Sequence, residues 1–281
     1  MNADDSAPDE AFAQLGNETR IRIVQALGDA DEPLRFSALK DRVGTRDSGQ
    51  FNYHLEKLVG TFVQKTADEA YELTYAGHQV IGALLAGEFE RQGSGETFAL
   101  DSTCGVCGSA IEATYEDERV EVRCPSCDEL LSGFGFPPGG LEGREPEALT
   151  ATFHNWVVGL CRMAVGGICF NCLGPVTGSL SVEDVEVHRH EPVHVTFRCG
   201  RCSDRTTMSV NSYLVMQAPV IAFCYEHGID VFEGELWNLP FLREGDVELA
   251  SADPLLARST IELEGERLTL VVEEDLSVRV V

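Results

Sequence analysis

The sequence has little lysine. Only three of its 281 residues are lysine, against 18 arginines, while 47 acidic residues bring the net charge to −26. A dense carboxylate surface stays hydrated in concentrated salt, where screening shortens the range of self-repulsion. Scarce lysine beside abundant carboxylates is therefore typical of a halophilic protein and argues against an ordinary acidic mesophilic one.

The sequence also lacks a long apolar run. Its most apolar stretch, residues 156–170, is too short to cross a membrane and contains Arg162. The N-terminal MNADDSAPDE is acidic and polar, so we expect no signal peptide. These absences predict a cytoplasmic protein without a membrane partner. In a reducing cytoplasm, paired cysteines favour metal binding over disulfides.

Recognisable catalytic motifs are missing as well. We find no paired carboxylates, no nucleophile elbow, no phosphate-binding loop and no His-Glu-x-x-His motif. The sequence therefore predicts a protein that is not an enzyme.

Cysteine, in contrast, is plentiful, and eight of the ten cysteines form four Cys-x-x-Cys pairs. Sixteen residues separate the first two pairs, and AIEATYEDERVEVR between them alternates on both sides of an acidic turn, which predicts a hairpin. The hairpin would bring four thiolates together as a zinc ribbon. The predicted ligands are Cys104, Cys107, Cys124 and Cys127.

A second set repeats this design with a 26-residue spacer that ends in VEVHRHEPVHVTFR. Its predicted ligands are Cys169, Cys172, Cys199 and Cys202. His188, His190 and His194 would lie in the middle of the hairpin, and four thiolates already complete a tetrahedron. We therefore predict two structural zinc ions per chain in closed sites. A thioredoxin-like redox pair would need a βαβ context.

Two cysteines remain outside these sets. Cys161 and Cys224 lie in FHNWVVGLCRMAV and SYLVMQAPVIAFCYEHG, which both read as apolar helical stretches. Cysteine in such a helix is usually a small core side chain. A pair of redox-sensing thiols is the alternative.

One window departs from the overall acidity. Residues 20–65 carry eight basic and six acidic side chains. Hydrophobic periodicity and cap residues predict short helices over NETRIRIVQALGD, FSALKDRVG and residues 47–60, then a hairpin in FVQKTADEAYELT and a closing helix. This order matches the winged helix-turn-helix, whose second paired helix enters the DNA major groove. A solvated mixed-charge surface is the plainer alternative.

The runs LGNETRIRIVQALGD, FSALKDRVG and FNYHLEKL resemble ArsR-type winged-helix regulators over residues 9–92. The resemblance implies that Phe51, His54, Leu55 and Leu58 anchor a recognition helix. It also implies DNA contacts from the helix, its flanks and the wing: Arg46, Ser48, Gln50, Asn52, Tyr53, Lys57 and Lys65. Metal-sensing members of that family carry a cysteine pair on the helix that precedes the recognition helix. The corresponding run here, FSALKDRVG, has no cysteine, so no metal sensing is expected at that place.

These parts predict an α+β chain: a winged helix-turn-helix (1–92), a first ribbon with its linker (93–145), a helix, second ribbon and following helix (146–245), and a C-terminal antiparallel meander (246–281). We expect Trp237 to pack against the meander. The whole resembles haloarchaeal ArsR-type regulators with a C-terminal zinc-ribbon region.

The resemblance implies a transcriptional regulator that binds double-stranded DNA, and we expect a homodimer on two half-sites. Two alternatives remain. The archaeal transcription factor E alpha subunit also joins a winged helix to a zinc ribbon, but it has one ribbon and acts through contacts with the transcription machinery. The third possibility is a thiol-based redox or ligand sensor.

Overall fold

The computed structural model describes residues 8–87, 89, 95–186, 189–232, 236–239, 241–242 and 246–281. The chain divides into two compact units, residues 1–91 and 92–281. Its described part is a mixture of helices and four small antiparallel sheets, as an α+β chain requires. The finer division of residues 93–281 into three segments stays a prediction.

The first unit contains four helices, a two-stranded hairpin and a fifth helix. They are α1 (Pro8–Leu15), α2 (Glu18–Gly28), α3 (Phe36–Val43), α4 (Ser48–Glu56), β1 (Val63–Lys65), β2 (Tyr71–Leu73) and α5 (Tyr75–Leu85). Asn17 caps α2 by accepting a hydrogen bond from the Thr19 N–H at 3.0 Å. Gly44 ends α3 in the left-handed region, with φ of 75°. The predicted order of elements is confirmed.

Helix α4 ends earlier than the predicted residue 60. The last helical residue is Glu56, and the Leu58 N–H bonds to the Leu55 carbonyl at 2.9 Å, three residues back, which tightens the chain into a turn. Gly60 then adopts a φ of 94°, which lets the chain reverse into β1.

The core of the first unit lies where α2, α3 and α4 meet the hairpin. Ile23, Leu39 and Phe51 are fully buried there. Leu34 exchanges two backbone hydrogen bonds with Tyr71, of 2.9 and 2.8 Å, so the segment before α3 is tied to the hairpin. Burying a large apolar side chain contributes about 1.5–3 kcal/mol to the free energy of folding, and this is the main stabilising contribution in such a unit.

The second unit begins with a four-stranded sheet. Its strands are β3 (Glu96–Thr103), β4 (Ala110–Glu116), β5 (Arg119–Arg123) and β6 (Leu130–Gly135), paired antiparallel in chain order. The predicted hairpin is confirmed as β4 and β5. Strands β3 and β6, which extend it on either side, were not predicted. A short 3-10 turn (Pro138–Gly140) and the helix α6 (Pro146–Val165) follow.

The next sheet has three strands, β7 (Val176–Ser181), β8 (His194–Cys199) and β9 (Arg205–Ser209). The first strand of this hairpin, β7, therefore ends before the run VEVHRH begins. His190 belongs to the connecting loop, whereas His194 begins β8 and is buried. His188 lies outside the described residues.

The stretch SYLVMQAPVIAFCYEHG forms two helices instead of one. They are α7 (Val210–Leu214) and α8 (Ala218–Glu226), and Pro219 stands in the first turn of α8. Proline has no N–H to donate to a carbonyl four residues back, and its ring clashes with that carbonyl, so a regular helix does not continue from α7 into α8.

The C-terminal sheet contains β10 (Asp246–Ala252), β11 (Leu255–Leu263), β12 (Glu266–Glu273) and β13 (Val278–Val280), in chain order. The predicted meander is confirmed and gains β10. Its buried residues, among them Ile261 and Leu270, share one core with α6, the second ribbon, α7 and α8.

The prediction for Trp237 is wrong. This indole packs in the core of the first ribbon sheet, beside Phe98 and Phe153, because the 3-10 turn Leu236–Asn238 lies along β3. The Ser102 hydroxyl donates to the Trp237 carbonyl at 2.9 Å and fixes this turn in place.

Candidate metal centres and nucleic-acid interface

The first four-cysteine set meets at one end of the β4–β5 hairpin. The sulfurs of Cys104 and Cys127 are 3.7 Å apart, and those of Cys107 and Cys124 are 3.5 Å apart. All four lie within 4.8 Å of one another. A tetrahedral metal with metal–sulfur bonds of about 2.3 Å separates its sulfurs by about 3.8 Å. The four thiols therefore fit one metal ion.

The second set reproduces this arrangement. The sulfurs of Cys169 and Cys202 are 3.7 Å apart, those of Cys172 and Cys199 are 3.5 Å apart, and all four lie within 4.8 Å. Each set consists of cysteines alone, and both predicted ligand sets are brought together. The two clusters could hold two metal ions.

Each Cys-x-x-Cys segment folds into the same turn. The N–H of its first cysteine donates to the carbonyl five residues later: Cys104 to Ser109 at 2.8 Å, and Cys124 to Glu129, Cys169 to Gly174 and Cys199 to Asp204 at 2.9 Å. The fourth residue after that cysteine has a positive φ: Gly108 (73°), Asp128 (60°), Leu173 (56°) and Ser203 (62°). Only Gly108 reaches this conformation without steric cost, so the turn itself holds the other three.

These turns also aim backbone N–H groups at sulfur. The N–H groups of Arg201 and Cys202 point at the Cys199 sulfur, at 3.3 and 3.5 Å. Hydrogen bonds from Cys202 and Arg201 lower the pKa of Cys199 to about 6, and one from the Ser109 backbone lowers the pKa of Cys107 to about 6. The pKa values of Cys127 and Cys202 are instead raised to about 12, because the backbone donors at Glu129 and Asp204, which lower them, are outweighed by burial and by the neighbouring thiols. Each cluster therefore contains one thiol that ionises readily, which favours metal binding, because the thiolate is the ligand.

The two remaining cysteines are buried, as predicted for core side chains. Burial raises the pKa of the Cys161 thiol to about 12 and that of Cys224 to about 11. Thiols of this kind are poor nucleophiles at neutral pH. Their environment therefore does not favour the redox-sensor alternative.

A charged network beside the first metal centre was not predicted. The buried Glu129 carboxylate lies 3.4 Å from Arg189 Nε and 3.2 Å from His190 Nε2, and Arg189 also donates to the Cys127 carbonyl at 2.8 Å. The loop between β7 and β8 therefore binds to a turn of the first four-cysteine cluster through these contacts. Sequence could not show this, because the partners are about 60 residues apart.

The candidate nucleic-acid interface is the exposed face of α4. Phe51, His54, Leu55 and Leu58 are buried, as expected for anchors. All seven predicted contact residues are exposed: Arg46, Ser48, Gln50, Asn52, Tyr53, Lys57 and Lys65. Arg46 precedes the helix, Lys57 follows its last turn, and Lys65 lies at the end of β1. The structure thus presents these side chains to solvent.

The beginning of α4 is strongly capped. The Asp47 carboxylate accepts hydrogen bonds from the N–H groups of Gly49 and Gln50 at 2.7 and 3.1 Å. These two bonds, the one from Gln50 more than the one from Gly49, lower the pKa of Asp47. The Lys40 ammonium donates to the Ser48 hydroxyl at 2.7 Å. Lys40, absent from the predicted set, therefore places a cation beside the start of the helix.

Two of the predicted cations already have partners within the unit. Lys57 lies over the Tyr53 ring at 5.8 Å from its centroid. Lys65 forms an ion pair with Glu69, which raises the pKa of Lys65. Because exposed pairs are weak, both cations stay available to a competing anion.

The described helices include none that is both long and apolar enough to cross a bilayer.

Comparison with family models divides the chain as its contacts do. A model described as a domain of unknown function, DUF7351, matches residues 101–278. The chain belongs to the DUF7351 family. The region that defines DUF7351 here contains both four-cysteine sets and the meander. A second model, DUF7347, also described as a domain of unknown function, matches residues 8–84, which span α1 to α5. No curated protein matches the chain.

Proposed function

We propose that this protein is a cytoplasmic, sequence-specific DNA-binding transcriptional regulator with two structural zinc ions. Its first unit would act as a winged helix-turn-helix, with α4 as the recognition helix and the β1–β2 hairpin as the wing. The observation that carries the proposal is the amphipathicity of α4. Its apolar side chains are buried, while Gln50, Asn52 and Tyr53 are exposed within residues 20–65, which carry a basic excess of two.

The exposed side chains suit two kinds of DNA contact. The amides of Gln50 and Asn52 can donate to and accept from base edges, which carries sequence information. Lys57, Lys65 and Arg46 suit phosphates, which position the protein without reading sequence. The negative charge of Asp47 would repel a phosphate at the start of α4, and the positive charge of Lys40 beside it offsets this repulsion.

Zinc is the metal we assign to both clusters. Four thiolates in tetrahedral reach are typical of structural zinc, and a closed set leaves no position for a reacting water. The zinc ions would hold the turns of the two ribbons together. We infer no catalytic role for them or for the rest of the chain.

The proposed dimer has support from exposed apolar groups at both ends of the first unit. Phe12 on α1 is 73% exposed and Leu85 on α5 is 62% exposed. A second copy of the chain that covered them would form the homodimer that two half-sites require.

DNA binding is tested by fluorescence anisotropy in molar potassium chloride, with the protein's own promoter region and random duplexes. We expect Gln50→Ala and Asn52→Ala each to cost about 1–3 kcal/mol at defined base pairs, because each removes a base contact. Lys65→Ala should weaken all duplexes alike. Glu262→Ala, on the exposed meander surface, is the control.

A protein-binding role in the transcription machinery is the competing function. It has one observation in its favour: Tyr53 and Tyr75 are 60% and 74% exposed, and tyrosine is common in protein interfaces. If the wild type does not prefer its promoter, or if both amide variants bind like the wild type, the DNA-binding proposal fails and this role replaces it.

A further inference from the structure

A cavity of about 570 Å³ lies inside the second unit. Strand β6 forms one wall, strand β9 another, and α6 supplies Val157, Leu160 and Cys161. Both strands are at the edge of their sheets. The volume falls within the range of about 300–1,000 Å³ that is typical of small-molecule sites.

The cavity is amphipathic. Its apolar lining includes Leu131, Phe134, Met208 and Leu236, and Thr206, Thr207 and Ser209 of β9 also belong to the lining. Such a mixture, apolar walls with a few polar groups at defined places, holds the body of a ligand by burial and fixes its orientation by hydrogen bonds.

One cation in the lining is set in place by a glycine. The Arg119 Nη2 atom lies 2.7 Å from the position that a Cβ of Gly133 would occupy, so glycine at this position of β6 leaves room for the guanidinium. Among the residues that the structure describes, the charged partner of Arg119 is Glu121, at a long 3.4 Å from Nε to the carboxylate. Its planar N–H fork is therefore available for a carboxylate or a similar anion.

Two of the other charges of the lining have close partners. Glu186 pairs with Arg123 at 2.9 Å, and Arg205 pairs with Glu183. Asp204 also lines the cavity and adds a negative charge to it; its backbone carbonyl accepts the Cys199 N–H. Arg119 is thus the group best placed to receive a new anionic partner.

We infer that this cavity binds a small molecule that has an apolar body about the size of two or three fused or linked rings and carries one anionic group, which pairs with Arg119. The inference concerns the second unit alone, and it holds or fails independently of DNA binding by the first.

Two fluorescent dyes with the same skeleton test it. 8-Anilino-1-naphthalenesulfonate and N-phenyl-1-naphthylamine differ only in the sulfonate. The chain has two tryptophans. Trp237 lines the cavity, and the Trp156 indole N–H donates to the Gly135 carbonyl of β6 at 2.8 Å. Energy transfer from tryptophan to bound dye therefore reports binding near this cavity, and the variants below locate it.

The full metal-loaded chain is titrated with each dye in molar potassium chloride. We expect saturable binding of one sulfonate dye per chain with tryptophan quenching. Arg119→Gln should weaken the sulfonate dye about two- to fivefold, as expected for a half-exposed charged contact, and leave the neutral dye unchanged. Arg267→Gln, which removes an exposed arginine of the meander, should change neither.

Filling the cavity gives the second arm. Cys161→Met and Ser132→Phe should each weaken both dyes at least tenfold, while two metal ions per chain show that the variants have folded. Absence of saturable binding by either dye, or unchanged binding in both filled variants, overturns the site. An Arg119→Gln effect that is equal for the two dyes overturns the assignment of an anionic ligand.

Discussion

The two units of this chain are stabilised in different ways. The first, residues 1–91, has no cysteine and contains 16 acidic and 9 basic residues; the second, residues 92–281, has all ten cysteines with 31 acidic and 12 basic residues. A single apolar core supports the helices and hairpin of the first. The second distributes its apolar residues over two cores, each next to a four-cysteine cluster. Metal and salt should therefore affect the second unit far more than the first.

Metal removal should separate the units most strongly. A structural zinc site contributes about 10–16 kcal/mol, which matches or exceeds the entire stability of about 5–15 kcal/mol of a typical domain. We expect chelation to unfold the second unit and to spare the first. Because both tryptophans, Trp156 and Trp237, lie in the second unit, their emission should shift to the red.

Hydrogen exchange measured by mass spectrometry supplies the control for the first unit. Peptides from residues 20–60 should keep their protection after chelation, and Cys107→Ser should reproduce the effect on the second unit. Cys161→Ser changes a cysteine outside both clusters and should keep two metal ions per chain. Fewer than two metal ions in the purified wild type would contradict the prediction.

The same contrast explains what the sequence can and cannot reveal. The ligand sets follow from the Cys-x-x-Cys spacing, because the turn around each pair is local and repeats the same bonds at Cys104 and Cys169. Helix α4 was recognisable for the same reason, since its cap at Asp47 and its apolar spacing lie within about one dozen residues.

Features that join distant segments were missed. Trp237 packs against β3, about 135 residues away, and the cavity takes its walls from β6, α6 and β9. Strand β7 was missed because VTGSLS has few apolar residues and reads as a loop, although its pairing with β8 makes it a strand. Tertiary contacts, which have no local signal, decide these positions.

Salt should have the next largest effect. Since carboxylates repel one another over about 10 Å at 0.1 M salt but only about 3 Å at 1 M, raising potassium chloride should stabilise both units and the more acidic second unit most. Thermal melts followed by tryptophan emission and by hydrogen exchange would measure this difference. Sucrose is the control, because it stabilises through exclusion from the surface without screening charge. A melting temperature that does not rise with salt would refute the halophilic interpretation.

The contacts of the β7–β8 loop with the first four-cysteine cluster should contribute less to the stability of the second unit. Glu129→Ala leaves Arg189 and His190 without their buried carboxylate partner, and we expect a loss of about 2 kcal/mol in the free energy of unfolding of the second unit. Glu262→Ala, which breaks the exposed pair with Arg267, should cost less than about 0.5 kcal/mol. Equal losses in chemical denaturation would show that the loop adds no specific support.

The last predicted effect depends on pH and concerns Glu191, which lies in the same loop. Burial raises the pKa of its carboxyl to about 8. The hydrogen bond from the Val210 backbone lowers this pKa in part, and the negative charge of Glu129 raises it further. Below pH of about 4.5 the carboxyl is protonated in both folded and unfolded chains and contributes no pH dependence. As the pH rises, the unfolded chain ionises first, so stability falls until the folded carboxyl also ionises near pH 8.

Glu191→Gln should remove this loss, since the amide stays neutral at every pH. We expect the variant to melt above the wild type at pH 8 and at the same temperature at pH 4. Glu274→Gln, which neutralises a carboxylate in the turn before β13, is the control for the loss of one negative charge. If both variants gain equally at pH 8, general charge repulsion accounts for the effect and the buried position of Glu191 does not.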